Sequence, residues 1–286
     1  MINKKKCRIC HCLNTKKYFI ANNYHGRHLY SKEKFSIYKC FGCKSLFVAN
    51  INTTKSYYKK YYPNSYTIEP GIVDKFYAFI SRNKFNLYFR KFNKVSILDI
   101  GCGNCQFLNS LSSKFIKYGT DIKKQSQNKN IFIGDFNKIK INKKFDCITL
   151  FHVLEHMPNP KKTISKAKTL LNKNGKIFIT IPNANALGLR LGKKYFFHLD
   201  TPRHLFIPSI DSIKNLLTQS GFNNVEHSYT FYDFPLDLWW SVRFSPWKYI
   251  VRPLYPIFKL FSPETILFTA SYQPVSKKLQ PAHSQD

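Results

Sequence analysis

The chain is organised around one stretch, Val95-Ser96-Ile97-Leu98-Asp99-Ile100-Gly101-Cys102-Gly103-Asn104-Cys105-Gln106-Phe107-Leu108. An apolar run ending in an acidic residue reads as a buried parallel strand, because a strand covered on both faces has no solvent side on which to alternate polar residues. The glycines after it permit a turn tight enough for backbone to lie against a ligand before a helix begins near Asn104. The order strand, glycine turn, helix predicts an α/β sheet with a ligand seated at the carboxyl end of the strand. A dinucleotide fingerprint needs a third glycine where Gln106 stands, so this turn argues against NAD.

The rest of the sheet follows in order. Residues 117–122 read as a second strand ending in Asp121, which stands about 20 residues after Gly101, the spacing at which an acidic side chain accepts from ribose hydroxyls; the alternative is a helix cap. Residues 131–133 read as a third strand, with Gly134, Asp135 and Phe136 at its end, and 123–130 is too short for a full crossover helix. Residues 145–151 read as the fourth strand, followed by His152, Glu155 and His156. A helix over 160–171, a stop at 172–175, a fifth strand at 176–181, a capped helix over 209–219, a sixth strand at 222–230 and a last one at 264–272 complete a doubly wound α/β pattern. Residues 184–208 form a long connection, of the kind used as a lid or binding loop, and carry His198, Asp200, Arg203 and His204.

Eight cysteines stand in a chain without an apolar leader at its start, so their pairing points to metal rather than disulfides. Cys7-x-x-Cys10 and Cys40-x-x-Cys43 form two knuckles that together supply four thiolates to one structural zinc ion, with His11 and Cys12 as spare donors.

Several motifs together resemble the class I S-adenosylmethionine (SAM)-dependent methyltransferases. They are D-x-G-x-G at Asp99, Gly101 and Gly103, the FD-x-I opening at Phe145, V-L-E-H-x-x-x-P from Val153 to Pro160, and L-L-x-x-x-G-x-I-F-I-T-I-P from Leu170. The branch containing the ubiquinone-biosynthesis O-methyltransferases is the most similar. Paired C-x-x-C motifs followed by the tyrosine-rich segment Tyr57, Tyr58, Tyr61, Tyr62 and Tyr66 resemble the N-terminal zinc-binding region of bacterial methyltransferases of small-molecule and surface-sugar pathways.

The resemblance implies a Rossmann-like seven-stranded sheet with its last strand antiparallel, preceded by a zinc-ribbon-like module. It implies a SAM site in which Asp99, Gly101, Cys102 and Gly103 meet the methionine part, Asp121 the ribose, and Asp135 and Phe136 the adenine, with Cys105 in place of the usual third glycine. In that branch an E-x-x-E-H run binds a divalent metal; here His152 replaces the first acid, and Glu155 and His156 are retained. His152, His156 and His204 are the candidates for a general base, since imidazole titrates near neutral pH; the alternative is that they order and pack their loops. The tyrosines either cover the substrate cleft or pack the zinc module onto the next domain.

The expected domains are a zinc module over 1–66, a helical connector over 67–93, a methyltransferase domain over 94–235 and 263–273, an aromatic and basic insertion over 236–262 and a polar tail over 274–286. Lysine and arginine number 46 against 15 aspartates and glutamates, a formal charge of +31. Such a balance draws nucleic acid, anionic lipid or phosphorylated substrates, although lysines spread along the whole chain also follow from composition. The insertion, with Trp239, Trp240, Trp247 and Tyr249 among Arg243, Lys248, Arg252 and Lys259, suits a peripheral membrane contact at the headgroups or a lipid-linked substrate; the alternative is core or subunit-contact packing. The expected protein is cytoplasmic, and its acceptor is a small molecule, a sugar or a lipid-linked compound. The alternatives are an RNA methyltransferase and an inactive membrane-associated interaction protein.

Overall fold

The computed structural model describes residues 5–25, 28–62, 83, 85–87, 89–123, 129–230, 236–261 and 263–273. Tyr66, most of the expected connector, residues 124–128 of the short turn and the tail at 274–286 lie outside the described residues.

The chain opens with the antiparallel hairpin β1 (Thr15–His25) and β2 (His28–Cys40), followed by the short β3 (Leu46–Val48). The central sheet then takes β4 (Val95–Ile100), β5 (Phe115–Asp121), β6 (Ile131–Ile133), β7 (Phe145–Phe151) and β8 (Leu171–Pro182), all parallel to one another. After β9 (Phe206–Ile207) come β10 (Asn223–Thr230) and β11 (Thr265–Ser271). The order across the sheet is β10-β11-β8-β7-β4-β5-β6, and β11 runs antiparallel to both of its neighbours. This is the seven-stranded Rossmann-like sheet with an antiparallel last strand that the resemblance implied.

The sheet forms because its strands are apolar on both faces: Ile97, Leu98, Ile100, Ile148, Leu150, Ile177, Phe178 and Ile179 are all fully buried. Burial at about 25 cal/mol per Å² of apolar surface favours covering both faces with helices. The helix Pro160–Thr169 is capped by Asn159, whose side chain accepts the Lys162 N–H at 3.0 Å, and Ile210–Gln219 by Ser209, which accepts from the Ser212 N–H at 3.1 Å. The chain passes from β4 to β5 and β6 on one side and to β7 and β8 on the other. By the rule for such sheets, the carboxyl ends of β4, β5 and β7, around the point where the strand order reverses, are where a crevice for a ligand is expected.

Two local expectations change. The residues 172–175 do not end an element before the fifth strand. They are absorbed between the pairs Phe145↔Leu171 and Cys147↔Lys176, with Asn174 at φ +63° donating its N–H to the Tyr272 carbonyl at 2.8 Å, so β8 begins at Leu171. The helix after the glycine turn, expected over about residues 105–114, covers only Gln106–Ser110, because Leu111 is extended. The N-terminal sheet also has an unexpected fourth strand. Its order is β1-β2-β3-β9, and β9 follows directly on the loop that carries His204. The segment bearing the cysteine knuckles is thus stitched by main-chain hydrogen bonds to the loop that borders the crevice.

Candidate active site

The turn after β4 needs glycine for two separate reasons. Gly101 sits at φ +73°, and a Cβ there would lie 2.5 Å from Val153 Cγ2. Gly103 sits at φ +51°, yet a Cβ there would meet nothing within 4 Å, so it borders open space. Cys105, at the third glycine position, also takes a left-handed conformation (φ 64°), and its sulfur is buried 3.7 Å from that of Cys102. The turn is tied to the neighbouring strand: the Gly101 and Cys102 N–H groups donate to the Thr120 carbonyl at 2.7 and 3.1 Å.

Asp121 completes this arrangement. Its carboxylate accepts the Gly103 N–H at 2.9 Å and the Lys123 N–H at 3.1 Å, which fixes it against the glycine turn while leaving it partly exposed. Asp99 is buried and accepts from the Thr149 hydroxyl at 2.6 Å. Desolvation pushes its carboxyl up to about 7, and the charge of Asp121 acts in the same direction. Asp135 is exposed and accepts the Asn137 N–H at 2.9 Å. Phe136, by contrast, is a core residue, buried with Lys166 Nζ 4.9 Å from its ring centroid, so it does not present a face to the crevice as expected. The apolar side chains that do stand open beside these two acids are Ile122 and Ile133, 50% and 44% exposed. Sequence reading passed over them; an exposed isoleucine directly after a strand-end aspartate, or on the last residue of a core strand, is the signal that would have found them.

The second half of the site is a histidine cluster. His152 takes a left-handed conformation (φ 54°) directly after β7, and its Nδ1 lies 3.4 Å from Glu155 Oε1. His156 Nδ1 faces the Arg203 carbonyl at 3.0 Å and the Tyr62 hydroxyl at 2.9 Å. A carbonyl only accepts, which assigns the proton to Nδ1 and leaves the lone pair on Nε2. His204 is buried, and its Nδ1–H donates to the His198 carbonyl at 2.7 Å. Its Nε2 therefore also carries a lone pair, 3.8 Å from Glu155 Oε1 and 3.7 Å from Asp200 Oδ2. Burial holds His204 well below the usual imidazole range.

Glu155 is fully buried, and neither of its oxygens has a hydrogen-bond partner among the described residues. A buried carboxylate that faces imidazole lone pairs lacks a donor, and a metal ion between them would supply the missing positive charge. Glu155, His156 and His204 offer one donor atom each, all within 4.8 Å of one another, a nitrogen and oxygen set suited to a divalent ion. The structure thus brings all three histidine candidates to one place and adds partners that the sequence did not mark. Tyr62 reaches His156, and Asp237 Oδ2 lies 3.1 Å from His198 Nε2. The Tyr57 hydroxyl donates to the Pro202 carbonyl at 3.1 Å and packs the N-terminal region onto the loop, the packing role expected of the tyrosines, and the Tyr62 hydroxyl lies 2.9 Å from His156 Nδ1.

The four knuckle cysteines converge as well. The sulfurs of Cys7 and Cys43 are 3.7 Å apart and those of Cys10 and Cys40 3.5 Å, and all four lie within 4.8 Å of one another. A tetrahedron with Zn–S bonds of 2.3 Å has edges of about 3.8 Å, so the group has the dimensions of a closed metal site. Cys43 is held down to about 5 by the Cys7 thiol that donates to it, and burial pushes Cys40 up to about 12. Cys12 stays outside this set, accepting the Asn14 N–H at 3.3 Å.

The chain is similar to several known proteins. The chain is 31% identical over 167 residues to the tRNA U34 carboxymethyltransferase of Aliarcobacter butzleri, covering 51% of this chain and 54% of that protein. It is 35% identical over 109 residues to the ubiquinone biosynthesis O-methyltransferase of Glaesserella parasuis, covering 32% and 46%. The match thus spans about half the length of these curated relatives. Among solved structures, a SAM-dependent methyltransferase from Archaeoglobus fulgidus is similar at 17% identity and a TM-score of 0.47, covering 68% of this chain and 94% of that one. A family model described as a methyltransferase domain matches residues 73–227, more than half of the chain. With the glycine turn, the strand-end aspartate and the sheet order all in the expected places, the chain belongs to the methyltransferase-domain family.

Proposed function

We propose that this protein transfers the methyl group of SAM to an oxygen, nitrogen or carbon nucleophile of a small-molecule, sugar or lipid-linked acceptor. The observation that carries the reading is the bond between the Gly103 N–H and the Asp121 carboxylate, which sets an acidic side chain beside a glycine whose missing Cβ leaves the crevice open. The residues fit the cofactor. Asp121 keeps acceptor capacity for the two ribose hydroxyls, Asp135 for the adenine amino group, and Ile122 and Ile133 offer apolar surface to the ring. Gly101 to Gly103 allow the methionine part to approach the backbone, and Asp99 beneath them supplies negative charge to its cationic groups.

SAM brings an already activated methyl group, so the protein's main task is to hold the nucleophile in line with it, an effect worth about 7–11 kcal/mol. A neutral imidazole accepts the nucleophile's proton. His204 is the best placed of the three candidates because burial keeps it unprotonated and the His198 carbonyl fixes its tautomer. His156 is held in the same tautomer, and His152 Nδ1 lies 3.4 Å from Glu155 Oε1, the oxygen that His204 also faces. Glu155, His156 and His204 would hold a divalent ion if one binds; that ion would polarise the acceptor's hydroxyl and take up the Nε2 lone pairs of His156 and His204, leaving His152 as the base. Cys7, Cys10, Cys40 and Cys43 would hold structural zinc.

A second reading, an RNA acceptor, is favoured by the 31% identity to a tRNA U34 carboxymethyltransferase and by the formal charge of +31. Titration calorimetry with SAM tests the cofactor site: Asp121→Ala should weaken binding at least a hundredfold, and unchanged affinity would remove the ribose assignment. Salt-sensitive retention of tRNA on a filter would move the acceptor to RNA; its absence at low salt would leave the small acceptor.

A further inference from the structure

We propose that residues 236–261 form a docking surface for an anionic lipid bilayer, on which the protein lies without crossing it. The segment folds as three short helices, Asp237–Ser241, Lys248–Val251 and Tyr255–Phe261. Its inner face is satisfied: Leu238, Val242 and Val251 are buried together against Leu187 and Leu191. Its outer face is not. Phe244, Trp247, Tyr249, Ile250, Leu254 and Ile257 are all exposed, Tyr249 to 74% and Phe244 to 63%. Single apolar side chains on a surface need no explanation, but six large ones within fourteen residues do.

The charges around them select the partner. Residues 238–263 contain no aspartate or glutamate, while Lys248 and Arg252 flank the exposed aromatics. Lys193 and Lys194 stand exposed at the same edge, where Gly192 lies against the Ser241 backbone and the Tyr195 and Phe244 rings are 4.8 Å apart. Arg243 is already engaged, donating to the Tyr195 and Trp240 carbonyls at 2.9 and 2.6 Å, and serves to fasten the segment rather than to bind. A second copy of the chain docked face to face would bring the same cations together with no acid to answer them. An anionic bilayer answers them, and its headgroup zone is where amphipathic Trp and Tyr rings settle. None of the helices in the described residues is long and apolar enough to span a membrane, which fits a helix set lying in the interface.

The surface is joined to the candidate site. Asp237 opens the first helix and bonds His198 at 3.1 Å, Ser241 Oγ accepts the Phe197 N–H at 3.0 Å, and the His198 carbonyl fixes His204. Docking would set the histidine cluster close to the membrane, but the surface stands whether or not the crevice takes SAM.

The test is co-sedimentation of the full chain with vesicles of phosphatidylglycerol and phosphatidylcholine, beside vesicles of phosphatidylcholine alone. Binding is expected to the first, at least tenfold weaker to the second, and weakened by salt. The combined variant Phe244→Ser, Trp247→Ser, Ile250→Ser and Ile257→Ser is expected to lose at least tenfold in partitioning, with its melting temperature and calorimetric SAM binding, measured without lipid, unchanged. Should that variant fold poorly, quenching of tryptophan emission in the unaltered protein by bromine-labelled lipid reports the same insertion. Wild-type protein that stays in the supernatant, a variant that binds as well as wild type, or tryptophan emission blind to brominated lipid would each overturn the proposal. So would velocity sedimentation showing a dimer that the variant dissolves without any vesicle binding.

Discussion

Replacing Asp99 by Asn separates what this carboxyl does for the fold from what it does for a cofactor. It lies in the central strand under the glycine turn, buried, with the Thr149 hydroxyl as donor and a folded-state value of about 7. In the unfolded chain it titrates near 3.9, and a gap of about three pH units corresponds to about 4 kcal/mol at most. The sign follows from proton counting. Between about pH 4 and 7 the folded state holds a proton that the unfolded state has released, so stability from this group falls as pH rises through that window and levels off above it. Asn cannot ionise and is exempt. About 2.6 kcal/mol of the wild-type loss falls between pH 5 and pH 8, so the difference in melting temperature, Asp99→Asn minus wild type, is expected to grow over that range by about 5 °C, taking about 2 °C per kcal/mol for a chain of this size. With SAM the order reverses: the cofactor's positive charges favour the ionised carboxylate, and the variant should bind it about tenfold more weakly. Calorimetric melting across pH, with and without SAM, reads both. A difference that stays flat with pH would show that the carboxyl is not held protonated by burial, and the argument for its charge-dependent role would fall.

The other predictions concern the turn, the histidines and the cysteines. Gly101→Ala meets Val153 as well as a positive φ and should destabilise the fold by more than about 2 kcal/mol, whereas Gly103→Ala carries only the conformational cost of about 1 kcal/mol but fills the crevice. Thermal melts should thus separate the two while calorimetry shows SAM binding lost in Gly103→Ala; equal melts would contradict the geometry. His204, depressed by burial, contributes stability above about pH 6.5 that is lost as pH falls below it. His204→Asn should accordingly lose less stability than wild type between pH 7.5 and 5, and parallel melting curves would exclude a buried neutral imidazole. Cys40→Ser should lower bound zinc from about one ion per chain to none and open residues 5–62 to proteolysis before the central sheet, as expected where metal binding supplies folding free energy. Metal-free wild-type protein of undiminished protease resistance would argue for four independent thiols.

Much of this molecule is written in short-range patterns. The apolar strand ending at Ile100, the two glycines and the acid at 121 specify local backbone and side-chain chemistry, and the structure places them together with a hydrogen bond between Gly103 and Asp121. The two C-x-x-C knuckles were legible for the same reason, since each turn aims its own pair of sulfurs. What the sequence hid depends on long-range pairing. A two-residue strand, Phe206–Ile207, carries no periodicity, yet its register with Leu46 and Phe47 joins the cysteine-bearing sheet to the His204 loop. The run 172–175 looks like a helix stop because Asn and Gly favour turns, but pairing with Tyr272 draws it into β8. Phe136 was read by position after a strand, whereas burial against the helix at Pro160–Thr169 decides its place. The contacts Tyr62–His156 and Asp237–His198 span 94 and 39 residues, beyond any motif.

A crystal structure of the protein soaked with S-adenosylhomocysteine tests the central claim most directly. The account predicts the ligand in the crevice beyond β4 and β5, both ribose hydroxyls within hydrogen-bond distance of Asp121 and the sulfur turned toward the histidine cluster. A crevice that stays empty at saturating ligand, or that takes a different nucleotide in its place, would contradict it.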